Sequence, residues 1–171
     1  MRAIVSVSNR DGLLEFCQSL SKAGFEIVST GGTGGEIANA GLPVTQVSNV
    51  TGYPEILDGR VKTLHPKVHA GILARPDISN HLDQLAYHDI DTFELVAVNL
   101  YPFVKTVTES EVSLQDALEN IDIGGPTLIR AAAKNFPHVI VIVDPADYKW
   151  IGELLADNKP ISLNDRQRLA H

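Results

Sequence analysis

Short apolar runs alternate with amphipathic stretches along most of this chain. Ala3 to Val7 reads as a buried strand, and Asn9 or Asp11 can cap a following helix that ends near Gly24. Phe25 to Ser29 predicts a second strand, then a glycine-rich turn and a short helix to Asn39. Val44 to Val47 predicts a third, short strand. His81 to His88 reads as helical and Leu95 to Leu100 as another buried strand. Helices are expected over Leu114 to Asn120 and Thr127 to Asn135, a strand over Val139 to Val143 and a helix over Asp147 to Asp157. The strands are apolar on both faces rather than alternating. With helices between them, they predict an α/β fold: a doubly wound, mostly parallel sheet with helices on both faces.

One segment breaks the pattern. Ser48 to Gly71 is long and irregular, with only a brief helix expected near Glu55. So long a loop inside a compact domain is usually functional. It carries Arg60, Lys62 and Lys67 together with Thr63, His65, Pro66 and His69. The chain as a whole has 171 residues and a net charge of -7, so this basic run is a local exception. A concentrated positive site in an acidic protein suits a small, highly charged ligand, and a phosphate ester is the expectation. The acidic balance argues against nucleic acid, which needs a broad basic face. No apolar run approaches membrane-spanning length and no signal peptide is readable, so a membrane partner is not expected. Cys17 is the single cysteine, which excludes an internal disulfide and fits a reducing, cytoplasmic setting. It shares a helical face with Leu13, Phe16 and Leu20, so packing is its expected role.

Five segments carry candidate chemistry. Ser6 to Gly12 follows the first strand, where hydroxyls and a helix N-terminus can bind an anion or simply cap the helix. Ser29 to Gly35 follows the second strand. Its glycines let backbone N–H groups wrap an anion, and Thr33 can add a hydroxyl. It is neither the dinucleotide fingerprint nor a Walker loop. Phosphate binding is the favoured reading over a plain tight turn, because two strand exits offer equivalent sites. In the basic segment, Arg60 can clamp a phosphate bidentately, while Lys62 and Thr63 reach toward the reacting part of a ligand. His65 and His69 have the spacing of a helical metal pair. Pro66 argues against an undisturbed helix there, and the lysines would repel a cation, so no metal site is assigned. Asn99-Leu100-Tyr101-Pro102 ends a strand at the sheet's carboxyl edge, as a ligand contact or as a turn with an aromatic plug. Finally, Asp122 precedes Gly124-Gly125-Pro126 at a helix start, and Lys134 lies further along beside Ala131 to Ala133, where it can point inward. A capping aspartate and an exposed lysine are the plainer reading of that pair.

Together, SVSNRDGL, STGGT, TGYPEILDGRVKTLHPKVHAGIL, VNLYPF and ENIDIGGPTLIRAAAKN resemble the IMP cyclohydrolase domain of the bifunctional AICAR transformylase/IMP cyclohydrolase, from about Ala3 to Tyr148. The resemblance implies a methylglyoxal-synthase-like fold, in agreement with the pattern above. It implies closure of the purine ring, formyl-AICAR losing water to become IMP, with no metal or organic cofactor. It places the catalytic group on Lys62, Tyr101, Asp122 and Lys134. It places substrate and phosphate binding on Ser8, Arg10, Thr30, Gly31, Gly32, Thr33 and Arg60, with Thr63, Asn99, Ile123 and Gly124 as further contacts. Arg10 stands where the family often has lysine, and Thr30 where serine also occurs. Residues 1–148 form the expected domain, and 149–171 a helical extension leading toward an absent transformylase domain. A homodimer is also implied. Two other readings stay open: a non-catalytic module that binds IMP or UMP for regulation, and a methylglyoxal-synthase-like lyase acting on a smaller phosphorylated substrate.

Overall fold

The computed structural model describes residues 1–100, 103 and 112–171. Among them, five strands form one parallel sheet: β1 (Arg2–Val7), β2 (Glu26–Ser29), β3 (Thr45–Gln46), β4 (Leu95–Asn99) and β5 (Ile140–Ile142), in the order β3-β2-β1-β4-β5. β1 is central, with Val5 beside Ser29 of β2 and beside Ala97 of β4. On one face, Ala3, Val5 and Val7 share a core with Leu13, Phe16, Cys17 and Leu20 of α1 (Leu13–Lys22) and Ile37 of α2 (Gly31–Asn39). On the other, Ile4, Val96 and Val98 share a core with Val68 and Ile72 of α4 (Pro66–Leu73), and with Leu128 and Ala132 of α7 (Gly124–Lys134). Helices on both faces explain why the strands carry no polar face. The doubly wound parallel sheet expected from the pattern is therefore present.

The chain beyond the last strand continues the same packing. Tyr148 opens α8 (Tyr148–Ala156), and its ring stacks on Phe16 with centroids 4.6 Å apart. Ile151 is fully buried, and α9 (Leu163–Ala170) contributes Leu169 to the core. The expected boundary at residue 148 thus falls where core packing carries on. Cys17 is buried, and burial pushes its thiol up to about 12, consistent with a packing role. No helix among the described residues is long and apolar enough to cross a membrane.

Several local readings are corrected. The irregular stretch contains α3 (Val47–Thr51) and α4, and no helix near Glu55. Pro66 begins α4 rather than disturbing it. Proline has no N–H to lose at the first helical position, and His65 Nδ1 accepts a hydrogen bond from the Lys67 N–H at 3.1 Å as the cap. Gly31 to Gly35 form the first turns of α2 rather than a preceding turn, and Gly124 and Gly125 likewise open α7. Neither Asn9 nor Asp11 caps α1. Gly12, at φ 68°, holds that position, and Asn9 Oδ1 instead accepts from the Asp11 N–H. The remaining helices among the described residues are α5 (Ser79–Tyr87), α6 (Leu114–Glu119) and a 3-10 turn at Pro145–Asp147.

Candidate active site

Where strand order reverses, the connections from two neighbouring strands leave in opposite directions and open a crevice at their carboxyl ends. Here that point lies between β1, which leads to β2, and β4, which leads toward β5. A cleft of about 950 Å³ occupies it. Its floor is Ser6, Val7 and Ser8 from the end of β1, Thr30 after β2, and Val98 and Asn99 from β4. One wall is the segment Asp58 to Leu64; the other is α6 and the start of α7, from Gln115 to Gly125.

α2 points its N-terminus at this cleft. Thr30 supplies no side-chain cap, and the first turn holds no acidic residue. The leading N–H groups of α2 are thus available to an anion, with the helix dipole in support. Thr30 is buried, and its hydroxyl lies 3.2 Å from Ser6 Oγ. Arg10 reaches the same turn: a Cβ on Gly32 would stand 2.8 Å from its Nη2. Arg10 also pairs with Glu36 at 2.6 Å.

The wall from Glu55 to Lys62 is a small hairpin. Ile56 and Val61 form an antiparallel bridge, and beyond it Lys62 Nζ lies 3.0 Å from Glu55 Oε2. The tip is a left-handed turn: Leu57 and Asp58 both have φ 54°, and Gly59 has φ 85°. The left-handed region costs a non-glycine residue roughly 1–2 kcal/mol, so this tip depends on the bridge and ion pair below it. The turn aims two cations. The Lys62 ammonium comes beside the start of α2, 3.1 Å from where a Cβ on Gly31 would be. The Arg60 guanidinium crosses to the other wall and pairs with Glu119 through both Nε, at 3.2 Å, and Nη2. Thr63 is buried, with its hydroxyl 3.0 Å from the position of a Cβ on Gly124.

Asp122 sits just before α7. Its Oδ1 accepts from the Gly125 N–H at 2.9 Å, while Ile123 is the N-cap position and provides no side-chain cap. A Cβ on Gly125 would collide with the Asp122 carboxylate and come within 2.7 Å of Leu100, so glycine is needed for the aspartate to turn back.

The cleft therefore brings together Ser8, Thr30, Arg60, Lys62, Thr63, Asn99, Asp122, Ile123 and Gly124, with Gly31, Gly32 and Arg10 at its α2 end. Two of the expected residues have commitments the sequence did not disclose. The Thr33 hydroxyl donates to the Val7 carbonyl at 3.0 Å and accepts from the Val7 N–H at 3.1 Å, which clasps α2 to β1. Asn99 Oδ1 accepts from the N–H groups of Ser8 and Asn9, and Nδ2 donates to the Asn9 carbonyl, so its amide shapes the loop after β1. Lys134 is not brought to the cleft. It is exposed at the far end of α7, about 15 Å along the axis from Gly124 at 1.5 Å per residue, and does not point inward. Tyr101 lies outside the described residues. Of the histidine pair, His65 is spent on capping α4. His69 has a buried Nε2 with no partner among the described residues. Glu55, Glu119 and Gln115 were missed by sequence reasoning. Glu55 lies in the long irregular stretch and Glu119 opens the segment that carries Asp122, but nothing in the sequence sets Gln115 apart.

With this geometry in place, comparison assigns the class. Residues 12–127 match the MGS-like domain, and the chain belongs to that family. Residues 132–171 match the AICARFT/IMPCHase bienzyme family. The chain is 52% identical over 177 residues to the bifunctional purine biosynthesis protein purH of Dictyostelium discoideum, an alignment covering 99% of this chain and 33% of that protein. It thus spans about a third of that curated relative's length. Among solved structures it is similar to the crystal structure of ForH, with TM-score 0.88 and 33% identity, covering 99% of this chain and 89% of that one.

Proposed function

We propose that this chain is an IMP cyclohydrolase that closes the purine ring of formyl-AICAR to give IMP. The observation that carries the reading is the cleft itself. An uncapped helix N-terminus with Arg10 and Lys62 beside it stands at one end, and an aspartate fixed at the start of α7 lines the other wall. Its match to the AICARFT/IMPCHase family and its 52% identity to a purine biosynthesis protein support the same reading. A cleft of about 950 Å³ also suits a nucleotide better than a three-carbon phosphate. That favours ring closure over a methylglyoxal-synthase-like lyase.

In this reading the 5′-phosphate docks on the N–H groups of Gly31 and Gly32, with the hydroxyls of Ser8 and Thr30 and the side chains of Arg10 and Arg60. The base extends toward Thr63 and the start of α7. The carboxamide nitrogen attacks the formyl carbon of the same molecule, so holding the two groups together supplies much of the acceleration. A carbon–nitrogen bond forms and charge gathers on the formyl oxygen. Lys62, on a flexible four-carbon stem, stabilises that charge. The oxygen then leaves as water, carrying one proton from the attacking nitrogen and one from the formamido nitrogen. Asp122 relays these protons, and Tyr101 is assigned with Lys62 to stabilising the charge. Lys134, which the resemblance pairs with Asp122 in moving protons, is exposed and not among the residues lining the cleft, so no step of this scheme is placed on it. No cofactor enters the scheme. A homodimer, a transformylase region in the longer protein and a cytoplasmic setting belong to the same proposal.

Ultraviolet monitoring of purified protein with formyl-AICAR tests it, with dihydroxyacetone phosphate as a control substrate. Formation of IMP is the expected result. Binding of IMP without turnover would instead favour a regulatory module, and methylglyoxal release a lyase.

A further inference from the structure

The side-chain charges lining the cleft do not by themselves make an anion site. Among the described residues, Arg60 and Lys62 are its lysine or arginine contributions, against the carboxylates of Asp58, Glu119 and Asp122. Both cations are already engaged, Lys62 by Glu55 and Arg60 by Glu119. The Arg60 pair is unusual in its reach. It links residues 59 positions apart, from the hairpin to α6, across the mouth of the cleft. It is also a fork. Glu119 Oε2 accepts from Arg60 Nε and Oε1 from Nη2, the two-pronged geometry by which a guanidinium binds a phosphate. Glu119 is itself held in place: Gln115 Nε2, one helical turn earlier on α6, donates to Oε1 at 3.0 Å. Arg60 and Glu119 have side chains 64% and 44% exposed, so water screens the pair and a competing anion can replace it.

We propose that Glu119 is an internal stand-in for the substrate phosphate on Arg60, a positioning residue that keeps the guanidinium aimed when the cleft is empty and exchanges with phosphate on binding. The proposal rests on the nucleotide reading above. A carboxylate in the fork excludes a second anion from the Nε and Nη2 donors, so a phosphate that takes this edge of Arg60 does so in competition with Glu119. Removing the competitor's charge therefore strengthens phosphate binding, whereas removing a merely structural contact weakens it. The sign of the effect separates the two.

The test is calorimetric titration of the wild-type chain and of Glu119→Gln, Gln115→Ala, Arg60→Ala and the Arg60→Ala/Glu119→Gln double variant, with IMP, inosine and inorganic phosphate as probes. Glu119→Gln is expected to bind IMP about two- to five-fold more tightly, the range set by an exposed ion pair, with inosine unchanged. Gln115→Ala shifts IMP in the same direction by less, and the double variant binds like Arg60→Ala alone. Weaker or unchanged IMP binding by Glu119→Gln, or an equal change for inosine, overturns the exchange while leaving IMP binding and turnover by the wild type intact. If the wild type binds inorganic phosphate but not IMP, the nucleotide reading falls, and the exchange is decided by the same comparison read on phosphate. If it binds neither, both fall.

Discussion

Asp122 does two things with one carboxylate, and they can be separated. One oxygen receives the Gly125 N–H and so caps α7; the charge is what the proposed chemistry needs. Asp122→Asn keeps an acceptor oxygen for the cap and loses the charge. It is expected to lower kcat by roughly 10²–10⁴-fold while the thermal midpoint stays near wild type. Steady-state kinetics beside a melting curve checks both halves, and an unchanged kcat would remove Asp122 from the mechanism. Thr33 makes the opposite case. Its hydroxyl was expected to serve the ligand, yet it holds both polar groups of Val7. Thr33→Val leaves a buried N–H without a partner and should destabilise the fold by about 1–3 kcal/mol in urea denaturation. Its residue type was informative and its direction was not, because a threonine one turn into a helix can face either the ligand or the strand beside it.

At the level of elements, the N-termini of α2, which follows β2, and of α7 meet at one cleft beyond the carboxyl ends of β1, β2 and β4. The strands were legible because burial on both sides leaves a continuous apolar run, as in Ile140 to Ile142. α4 was not. Pro66 reads as a breaker when the helix is imagined to run through it and as a starter once His65 is seen to cap it, and one sequence permits both. The hairpin from Glu55 to Lys62 was equally hidden. Its left-handed tip begins at Leu57, a residue type that does not announce a positive φ, while the Asp58-Gly59 pair beside it is a turn signal that went unused. Glycines within the helices separate site from scaffold. Nothing lies within 4 Å of a Cβ on Gly35, which is in α2 and exposed, so Gly35→Ala should stabilise the protein by about 0.5–1 kcal/mol. The same change at Gly125 drives a methyl into the Asp122 carboxylate, and loss of activity is expected. Paired denaturation curves and turnover rates read both outcomes.

Across the whole molecule, the acidic chain keeps a cleft whose two lining cations are each paired with a carboxylate, and a further group links fold to pH. His69 stands on α4, where burial lowers its pKa from 6.5, opposed by a hydrogen bond with the Thr63 backbone. As pH falls below 6.5 the unfolded chain takes up a proton at this position more readily than the folded chain does. The unfolded state binds more protons in that window, so acidification removes stability. His69→Asn should flatten the acid side of the stability profile, measured by urea denaturation on both sides of pH 6.5. An unaltered slope would mean that other groups carry it.

A crystal structure of the chain with IMP bound tests the central claim most directly. The account predicts phosphate oxygens on the N–H groups of Gly31 and Gly32, Arg60 turned from Glu119 to the phosphate, and the base against Thr63 and Asp122. A nucleotide seated outside this cleft, or reversed so that its phosphate faces Asp122, would contradict it.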